Sequence, residues 1–207
     1  QPVLRFLEPG TKLIHMDSDP HDVGKTQPTD VGIVADPKVA LGELAEALEA
    51  SMSGTETEAA KGRSMTLAEE KKASKTAWQK RLKKRWDLKP MAAERMMSEI
   101  AQVLPPKTII VDDSVTSRDA VHDALEFNEP GSVYGGRGGA LGWGMGGAMG
   151  IKLAHSDRPV VAVVGDGSAM MTVQGLWTAA NEDIPVVYVI CNNGSYRVLK
   201  INIDAYK

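Results

Sequence analysis

Two short polar clusters constrain the fold of this chain more than any other feature of its sequence. Residues 165–168 (GDGS) follow the apolar run 160–164 (VVAVV), and residues 192–195 (NNGS) follow the apolar run 186–190 (VVYVI). Runs of apolar and β-branched residues without polar alternation are typical of parallel strands that are buried on both faces. We therefore predict one strand before each cluster.

The segment between the clusters predicts a crossover helix. Twenty-four residues separate Gly167 from Asn192, and Pro185 ends the connection. Apolar residues recur there at helical spacing: Met170, Met171, Val173, Leu176, Trp177 and Ala180. Parallel strands joined in this way end at the same sheet edge, where ligands of open α/β sheets bind. We therefore expect Asp166 and Asn193 to lie close together.

The residue types in both clusters suit a hard cation that bridges a diphosphate. Mg²⁺ prefers oxygen ligands in near-octahedral geometry and often takes only one or two from protein side chains. Asp166 could supply a charged oxygen, Asn193 a neutral one, and a backbone carbonyl near Ser195 a third. Gly165 and Gly167 would allow the backbone to turn sharply and approach phosphate. Backbone amides near Ser168, at a helix start, could point toward it.

With these residues in place, the sequence resembles a known family. GDGS followed after twenty-four residues by NN resembles the cofactor-binding motif of thiamine diphosphate-dependent enzymes, and the flanking residues are similar to the benzoylformate decarboxylase and acetolactate synthase group. The resemblance implies a Rossmann-like parallel sheet with helices on both faces, thiamine diphosphate and Mg²⁺ as cofactors, and a 2-oxo acid substrate. The simplest alternative is a plain strand–helix–strand unit, since Asp-Gly and Asn-Gly are common in turns.

The resemblance also implies a phosphate contact earlier in the chain. Residues 108–111 predict a strand that runs into the polar segment 112–117 (DDSVTS), at the same sheet edge as the two clusters. Thr116 matches a phosphate-binding position of the family. Val115 departs from the hydroxyl residue that the family has beside it, which leaves one expected contact without a counterpart.

Further contacts are implied in the glycine-rich stretch 135–150 and after the second cluster. The carbonyl of Gly139 matches the acceptor for the aminopyrimidine amine, and Leu141 matches the residue that holds the cofactor bent. Tyr196 is also expected at the cofactor, and Leu199 matches a substrate-side position. A solvated loop position is expected for Arg137.

The glycine-rich stretch supports a competing interpretation. Residues 142–147 (GWGMGG) satisfy the G-x-G-x-x-G pattern of nicotinamide-binding folds, and Asp166 follows 22 residues after Gly144. The preceding apolar run 132–134 is short for a first strand, and this interpretation gives Asn193 no role. An NAD(P)-binding oxidoreductase domain therefore remains an alternative.

Three segments with different patterns predict the domain organisation. Residues 1–50 contain too few elements to enclose a core and resemble the tail of the central α/β domain of the family. Residues 51–89 predict a linker followed by a basic helix that begins at Thr66. Residues 90–207 predict the thiamine diphosphate- and Mg²⁺-binding domain, incomplete at its C-terminal end.

Composition narrows the expected partners and location. A net charge of −3 gives no reason to expect nucleic acid, and no apolar run approaches the ~20 residues of a membrane span. The single cysteine excludes an intramolecular disulfide, and the N-terminus lacks the pattern of a secretory signal. We expect a cytoplasmic protein that binds neither nucleic acid nor membrane.

The resemblance implies a catalyst of which this chain is a part. The family activates the cofactor with a glutamate from an N-terminal domain, usually of the partner subunit, and no glutamate of this chain matches it. A homodimer or homotetramer is therefore implied, and we expect neither turnover nor tight cofactor binding from these residues alone. Decarboxylase and acetolactate-type carboligase both remain open, and a noncatalytic cofactor-binding module is a further alternative.

Overall fold

The computed structural model describes residues 7–8, 10–136 and 138–206, so the loop position predicted for Arg137 lies outside the described residues. These residues divide into two compact units between Glu70 and Lys71. Within the described ranges, no helix is both long enough and apolar enough to cross a membrane.

The first unit contains two paired strands, one whole helix and the first part of a second helix. These are the parallel strands β1 (Ile14–Asp17) and β2 (Val31–Val34), followed by α1 (Pro37–Ser51). Asp36 caps α1 by accepting a hydrogen bond from the amide of Lys38 at 2.8 Å. Ala40 is the single buried residue among those that the structure describes in this unit, so these elements bury little apolar surface of their own.

The next helix, α2 (Gly54–Arg85), corrects the prediction of a linker that ends before Thr66. Ser53 and Glu56 form a capping box, in which the Ser53 amide donates to the Glu56 carboxylate at 2.8 Å and the Glu56 amide donates to the Ser53 hydroxyl at 3.3 Å. Thr66 lies inside the helix, where its hydroxyl donates to a carbonyl one turn earlier. The small polar residues of this segment are thus helical because an earlier capping box starts the helix.

The second unit is built on four parallel strands in the order β4-β3-β5-β6. Its elements are α3 (Ala93–Val103), β3 (Ile109–Asp113), α4 (Arg118–Ala124), β4 (Val133–Gly135), α5 (Trp143–Ala154), β5 (Val160–Gly165), α6 (Asp166–Met171), α7 (Gly175–Asn181), β6 (Val187–Cys191) and α8 (Arg197–Tyr206). The strands predicted before the two polar clusters are β5 and β6. They pair directly, with Gly165 opposite Cys191.

The central strands of this sheet are covered on both faces. On one face, Val111 of β3 belongs to a core cluster that includes Met145 of α5. On the other face, Ile110 of β3 belongs to a cluster that includes Met97 of α3 and Val121 of α4. Because successive side chains of a strand point to opposite faces, this alternation confirms the predicted parallel sheet with helices on both sides.

The crossover between β5 and β6 differs from the single helix predicted. Two short helices, α6 and α7, replace it, and the chain leaves helical geometry at Thr172, which has φ −140° and ψ 31°. The Thr172 hydroxyl donates to the carbonyl of Gly142 at 2.6 Å. Several apolar residues of this segment are exposed, among them Met170 at 70% and Trp177 at 71%. Met170 and Trp177 thus lie in helices, as their spacing predicted, but the sheet does not cover their side chains.

The strand order creates a topological switch point between β3 and β5. The chain passes from β3 through α4 to β4 on one side, and then through α5 to β5 on the other side of β3. The helices α4 and α5 pack on opposite faces of the sheet. A crevice therefore opens beyond the carboxyl ends of β3 and β5, which is the ligand-binding position of open α/β sheets.

Candidate functional site

A cavity lies at this switch point, and we call it the switch-point cavity. All predicted cofactor-binding residues except Gly139 line it: Thr116, Leu141, Gly165, Asp166, Gly167, Ser168, Asn193, Ser195 and Tyr196. Gly139 lies in an exposed loop with φ +71°, away from the cavity wall. Leu199, the predicted substrate contact, is 51% exposed on α8 and does not line the cavity either.

Hydrogen bonds join the two polar clusters across the ends of β5 and β6. The amide of Gly194 donates to Oδ2 of Asp166 at 3.0 Å and to Oδ1 of Asn192 at 2.9 Å. The amide of Ser195 donates to Oδ1 of Asn193 at 3.0 Å. Gly194 has φ +58°, a conformation that glycine adopts without a steric penalty. The structure thus brings Asp166 beside the turn that contains Asn193, as the topology predicted.

The oxygen atoms at this position fit a cation that is also bound by phosphate. Among the described residues, Oδ1 of Asp166 accepts no hydrogen bond, so it is available to a ligand. No group of three or more His, Cys, Asp or Glu side chains in the described ranges could hold a metal ion by itself. One carboxylate and one amide side chain agree with Mg²⁺, which takes few protein ligands when phosphate and water complete its shell.

The turn that contains Thr116 is held in place by Asp112. One oxygen of Asp112 accepts hydrogen bonds from the amide and the hydroxyl of Ser114, at 3.0 and 2.6 Å. Its other oxygen lies 3.1 Å from Nε of Arg118. Asp112 is 1% exposed, while Thr116 is exposed at the cavity. A buried, hydrogen-bonded carboxylate therefore supports a turn that lines the candidate site.

The carboxylate of Asp113 was not singled out from the sequence, although it organises the part of the cavity lining that contains Leu141 and Ser168. Its Oδ2 atom accepts hydrogen bonds from the amides of Gly142 and Gly144 and from the hydroxyl of Ser168. The Ser168 hydroxyl is thus committed to the protein, and only its backbone amide remains for the predicted phosphate contact. The available signal was a second carboxylate at the end of a buried strand, where an unpaired charge would be costly.

Cys191 and Tyr196 also line the switch-point cavity and make part of its lining less polar. Burial raises the pKa of the Cys191 thiol, and the charges of Asp112 and Asp166 raise it further, while a hydrogen bond with Ser117 lowers it. The thiol is therefore protonated near neutral pH. The Tyr196 ring lies against Gly167, 3.5 Å from the position that a Cβ atom there would occupy.

The topology argues against the nicotinamide-binding alternative. In that fold, the strand before the glycines and the strand before the ribose-binding carboxylate are neighbours. Here the corresponding strands are β4 and β5, and β3 lies between them. In addition, the amides of Gly142 and Gly144 donate to Asp113 and are not directed to a dinucleotide phosphate.

A doubly wound sheet with a carboxylate, an amide side chain and glycine backbone at its switch point defines a cofactor-binding α/β domain. Residues 113–205 match the family described as thiamine pyrophosphate enzyme, C-terminal TPP binding domain, where TPP denotes thiamine diphosphate. This part of the second unit is therefore similar to the TPP-binding domain of the thiamine pyrophosphate enzymes.

Relatives of this chain include both activities suggested by the sequence. It is 35% identical over 111 residues to a benzoylformate decarboxylase of Pseudomonas aeruginosa, covering 54% of this chain and 21% of that protein. It is 31% identical over 198 residues to a protein of Methanocaldococcus jannaschii named probable acetolactate synthase large subunit, covering 92% of this chain and 32% of that protein. The chain thus spans a third or less of these relatives.

A solved structure supports the same fold. The thiamine diphosphate-dependent 4-hydroxybenzoylformate decarboxylase of Rhodococcus jostii superposes with a TM-score of 0.72 at 24% identity, covering 97% of this chain and 34% of that chain. Identity at this level is evidence for the fold alone. The matching fold extends over both units of the chain.

Proposed function

We propose that this chain binds the diphosphate of thiamine diphosphate together with Mg²⁺, as part of a 2-oxo acid decarboxylase similar to benzoylformate decarboxylase. When bound, the cofactor supplies an electron sink for the loss of carbon dioxide from the substrate. The chain itself would bind and orient it. Asp166, Asn193 and a carbonyl near Ser195 would hold the cation, while Thr116 and the backbone of residues 165–168 would hold the diphosphate.

The observation that carries this proposal is the hydrogen bond from Gly194 to Asp166. It joins the start of α6 to the turn after β6, and Asp166 and Asn193 of these segments line the same cavity. The free oxygen of Asp166, the amide of Asn193 and the exposed hydroxyl of Thr116 are complementary to a magnesium diphosphate. Leu141, which is 36% exposed at the cavity, would contact the rings of the cofactor.

The size of the switch-point cavity indicates which part of the cofactor this chain would hold most closely. Its volume is about 50 Å³, and some of its lining residues, Thr116 and Asn193 among them, also line a neighbouring cavity of about 1100 Å³. We propose that the residues of the switch-point cavity anchor mainly the diphosphate end. The contacts predicted for Gly139 and Leu199 remain predictions, since both residues lie outside this cavity.

We further propose that turnover needs groups beyond those of this cavity. In the described part of the chain, no glutamate lines it. A carboxylic acid that exchanges a proton with the cofactor must lie within hydrogen-bond reach of it. Measurable release of an aldehyde from benzoylformate by this chain alone, with Mg²⁺ and thiamine diphosphate, would contradict this proposal.

The alternative within the same family is an acetolactate-type carboligase. The longer match to an acetolactate synthase relative, over 198 residues, favours it, while the match to the benzoylformate decarboxylase, 35% identical over 111 residues, supports the decarboxylase. Product analysis of the active enzyme separates them. A decarboxylase releases an aldehyde, whereas a carboligase joins the decarboxylated part of the substrate to a second 2-oxo acid.

A second copy of the chain is the partner that we propose for the exposed face of α6 and α7. Large apolar side chains on this face are exposed without a partner: Met170, Met171, Val173, Leu176 and Trp177. Contiguous exposed apolar surface commonly marks a protein interface. We expect sedimentation to show an oligomer that Trp177→Asp dissociates. An oligomer that this variant leaves unchanged would contradict the assignment of the face.

Calorimetric titration tests the binding proposal directly. We expect heat of binding with thiamine diphosphate only when Mg²⁺ is present, and none with NADH. Heat with NADH alone would overturn the proposal in favour of the nicotinamide-binding alternative. Binding without catalytic activity in the complete protein would instead support the noncatalytic module.

A further inference from the structure

The contacts of Asp113 are not explained by the binding residues proposed above. This side chain is 4% exposed, and its Oδ2 atom accepts three hydrogen bonds: from the amide of Gly142 at 3.0 Å, from the amide of Gly144 at 3.1 Å and from the hydroxyl of Ser168 at 2.6 Å. We call these four residues the Asp113 network. The first helical residue of α5 is Trp143, so the amide end of the helix offsets the buried negative charge.

The network fixes the peptide of Gly142 from several directions. The Gly142 amide also donates to the hydroxyl of Ser168 at 2.7 Å, and its carbonyl accepts from the hydroxyl of Thr172 at 2.6 Å. Gly142 has φ +91°, and a Cβ atom there would lie 2.7 Å from Cβ of Met171. Glycine is therefore required at this position by both the backbone conformation and the close approach of α6.

Gly144 shows the same close approach to Asp113. A Cβ atom at Gly144 would lie 2.6 Å from Cβ of Asp113, a distance that side chains do not tolerate. The start of α5 can thus pack directly on the end of β3 only because glycine occupies this position. The two glycines that resemble a dinucleotide motif serve instead to admit the carboxylate of Asp113.

The network joins the two walls of the switch-point cavity. Gly142 directly follows Leu141, and Ser168 lies in the first turn of α6, two residues after Asp166. We propose that Asp113 is a positioning residue, which sets the separation between Leu141 and Asp166 so that the ring end and the diphosphate end of the cofactor are held together. This inference rests on the proposed function, because it assigns those two ends to the cofactor.

Two ligands separate this role from a general effect on folding. Magnesium thiamine diphosphate reaches both walls of the cavity, whereas magnesium pyrophosphate reaches only the wall that contains Asp166 and Asn193. In Asp113→Asn, the side chain can still accept hydrogen bonds but loses the charge that strengthens them. We expect binding of magnesium thiamine diphosphate to weaken about tenfold, and binding of magnesium pyrophosphate to change less than about twofold.

Asp112→Asn is the matched control. Asp112 is also buried and lies next to Asp113 in β3, but it bonds to Ser114 and Arg118 on the other face of the sheet. We expect this variant to lower stability and, through the turn of Thr116, to weaken both ligands equally, because both contain the diphosphate; the ratio of the two dissociation constants should therefore stay unchanged. If Asp113→Asn does not fold, Ser168→Ala removes one donor of the network and should change the ratio in the same direction.

Calorimetry with both ligands on the wild-type chain and its variants tests the positioning role of Asp113. Equal weakening for both ligands in Asp113→Asn, or no weakening for either, would overturn the positioning role while leaving the proposed function intact. A wild-type chain that binds neither ligand would overturn the proposed function itself. A changed ratio in Asp112→Asn would show that the ratio reports stability and would also overturn the inference.

Discussion

Gly194 donates its backbone amide to Oδ2 of Asp166 over 3.0 Å, although 28 positions separate the two residues. One oxygen of the carboxylate is thus bound to the protein, and among the described residues the other accepts no hydrogen bond. Asp166 and Asn193, which lies in the same turn as Gly194, both line the switch-point cavity. This hydrogen bond therefore joins the segments that carry the two candidate cation ligands at the ends of two parallel strands.

Replacing Asp166 should weaken or abolish the magnesium-dependent binding of the cofactor. Asp166→Asn retains an acceptor for Gly194 but lacks the charge that a divalent cation prefers, so we expect affinity for magnesium thiamine diphosphate to fall at least about tenfold. Asp166→Ala should abolish binding. The control is Asp157→Ala, an exposed carboxylate before the start of β5. Equal affinity in Asp166→Asn and Asp157→Ala would count against the assigned role.

The two neighbouring asparagines of the second cluster should differ in their effect on binding. Each accepts one hydrogen bond from the amide two residues further on, but Asn192 does not line the switch-point cavity and Asn193 does. We expect Asn193→Ala to weaken binding of magnesium thiamine diphosphate more strongly than Asn192→Ala, because both lose a turn contact but only one loses a ligand oxygen. Titration of both variants would refute this if their affinities coincide.

Stability of the second unit should depend on Met97. This residue of α3 is 0% exposed, so Met97→Ala should lower the free energy of unfolding by about 2–5 kcal/mol through lost burial and a cavity. Val103 of the same helix is 77% exposed, and Val103→Ala should change the free energy of unfolding by less than about 0.5 kcal/mol. Urea denaturation of the two variants would disprove the packing described for this face if it showed equal effects.

Alkylation of the single cysteine should report its environment. Burial raises the pKa of Cys191 above its ordinary value of 9.0, so the folded chain should react with iodoacetamide more slowly at pH 8 than the urea-unfolded chain. The rate in the folded chain should reach half its maximum only above pH 9.0. Because the folded state disfavours the thiolate, stability should decrease as the pH rises through this range. Equal rates in both states would contradict the burial of the thiol.

The sequence predicted the core of the fold and the location of the site. Continuous apolar runs identified β5 and β6, and the topology of parallel strands placed Asp166 near the turn of Asn193. The break at Thr172 was not predictable from helical spacing, since the side chain of Thr172 bonds there to Gly142, which is distant in the sequence. Asp113 was missed for the same reason, since its three donors come from segments that only the folded chain brings together.

The local signals at the start of α2 were ambiguous. A capping pattern at Thr66 and another at Ser53 are both present in the sequence, and the structure uses the earlier one. Exposed residues in a helix provide little hydrophobic periodicity to choose between two starts. Boundaries that depend on a single turn of polar residues are therefore less predictable than buried strands.

The most direct test of the central claim is a calorimetric titration of this chain with thiamine diphosphate, with and without Mg²⁺, and with NADH. We predict binding that requires Mg²⁺, is lost in Asp166→Ala and is absent for NADH. Binding of thiamine diphosphate that is equally strong without Mg²⁺ and in Asp166→Ala, or binding of NADH in its place, would contradict the account.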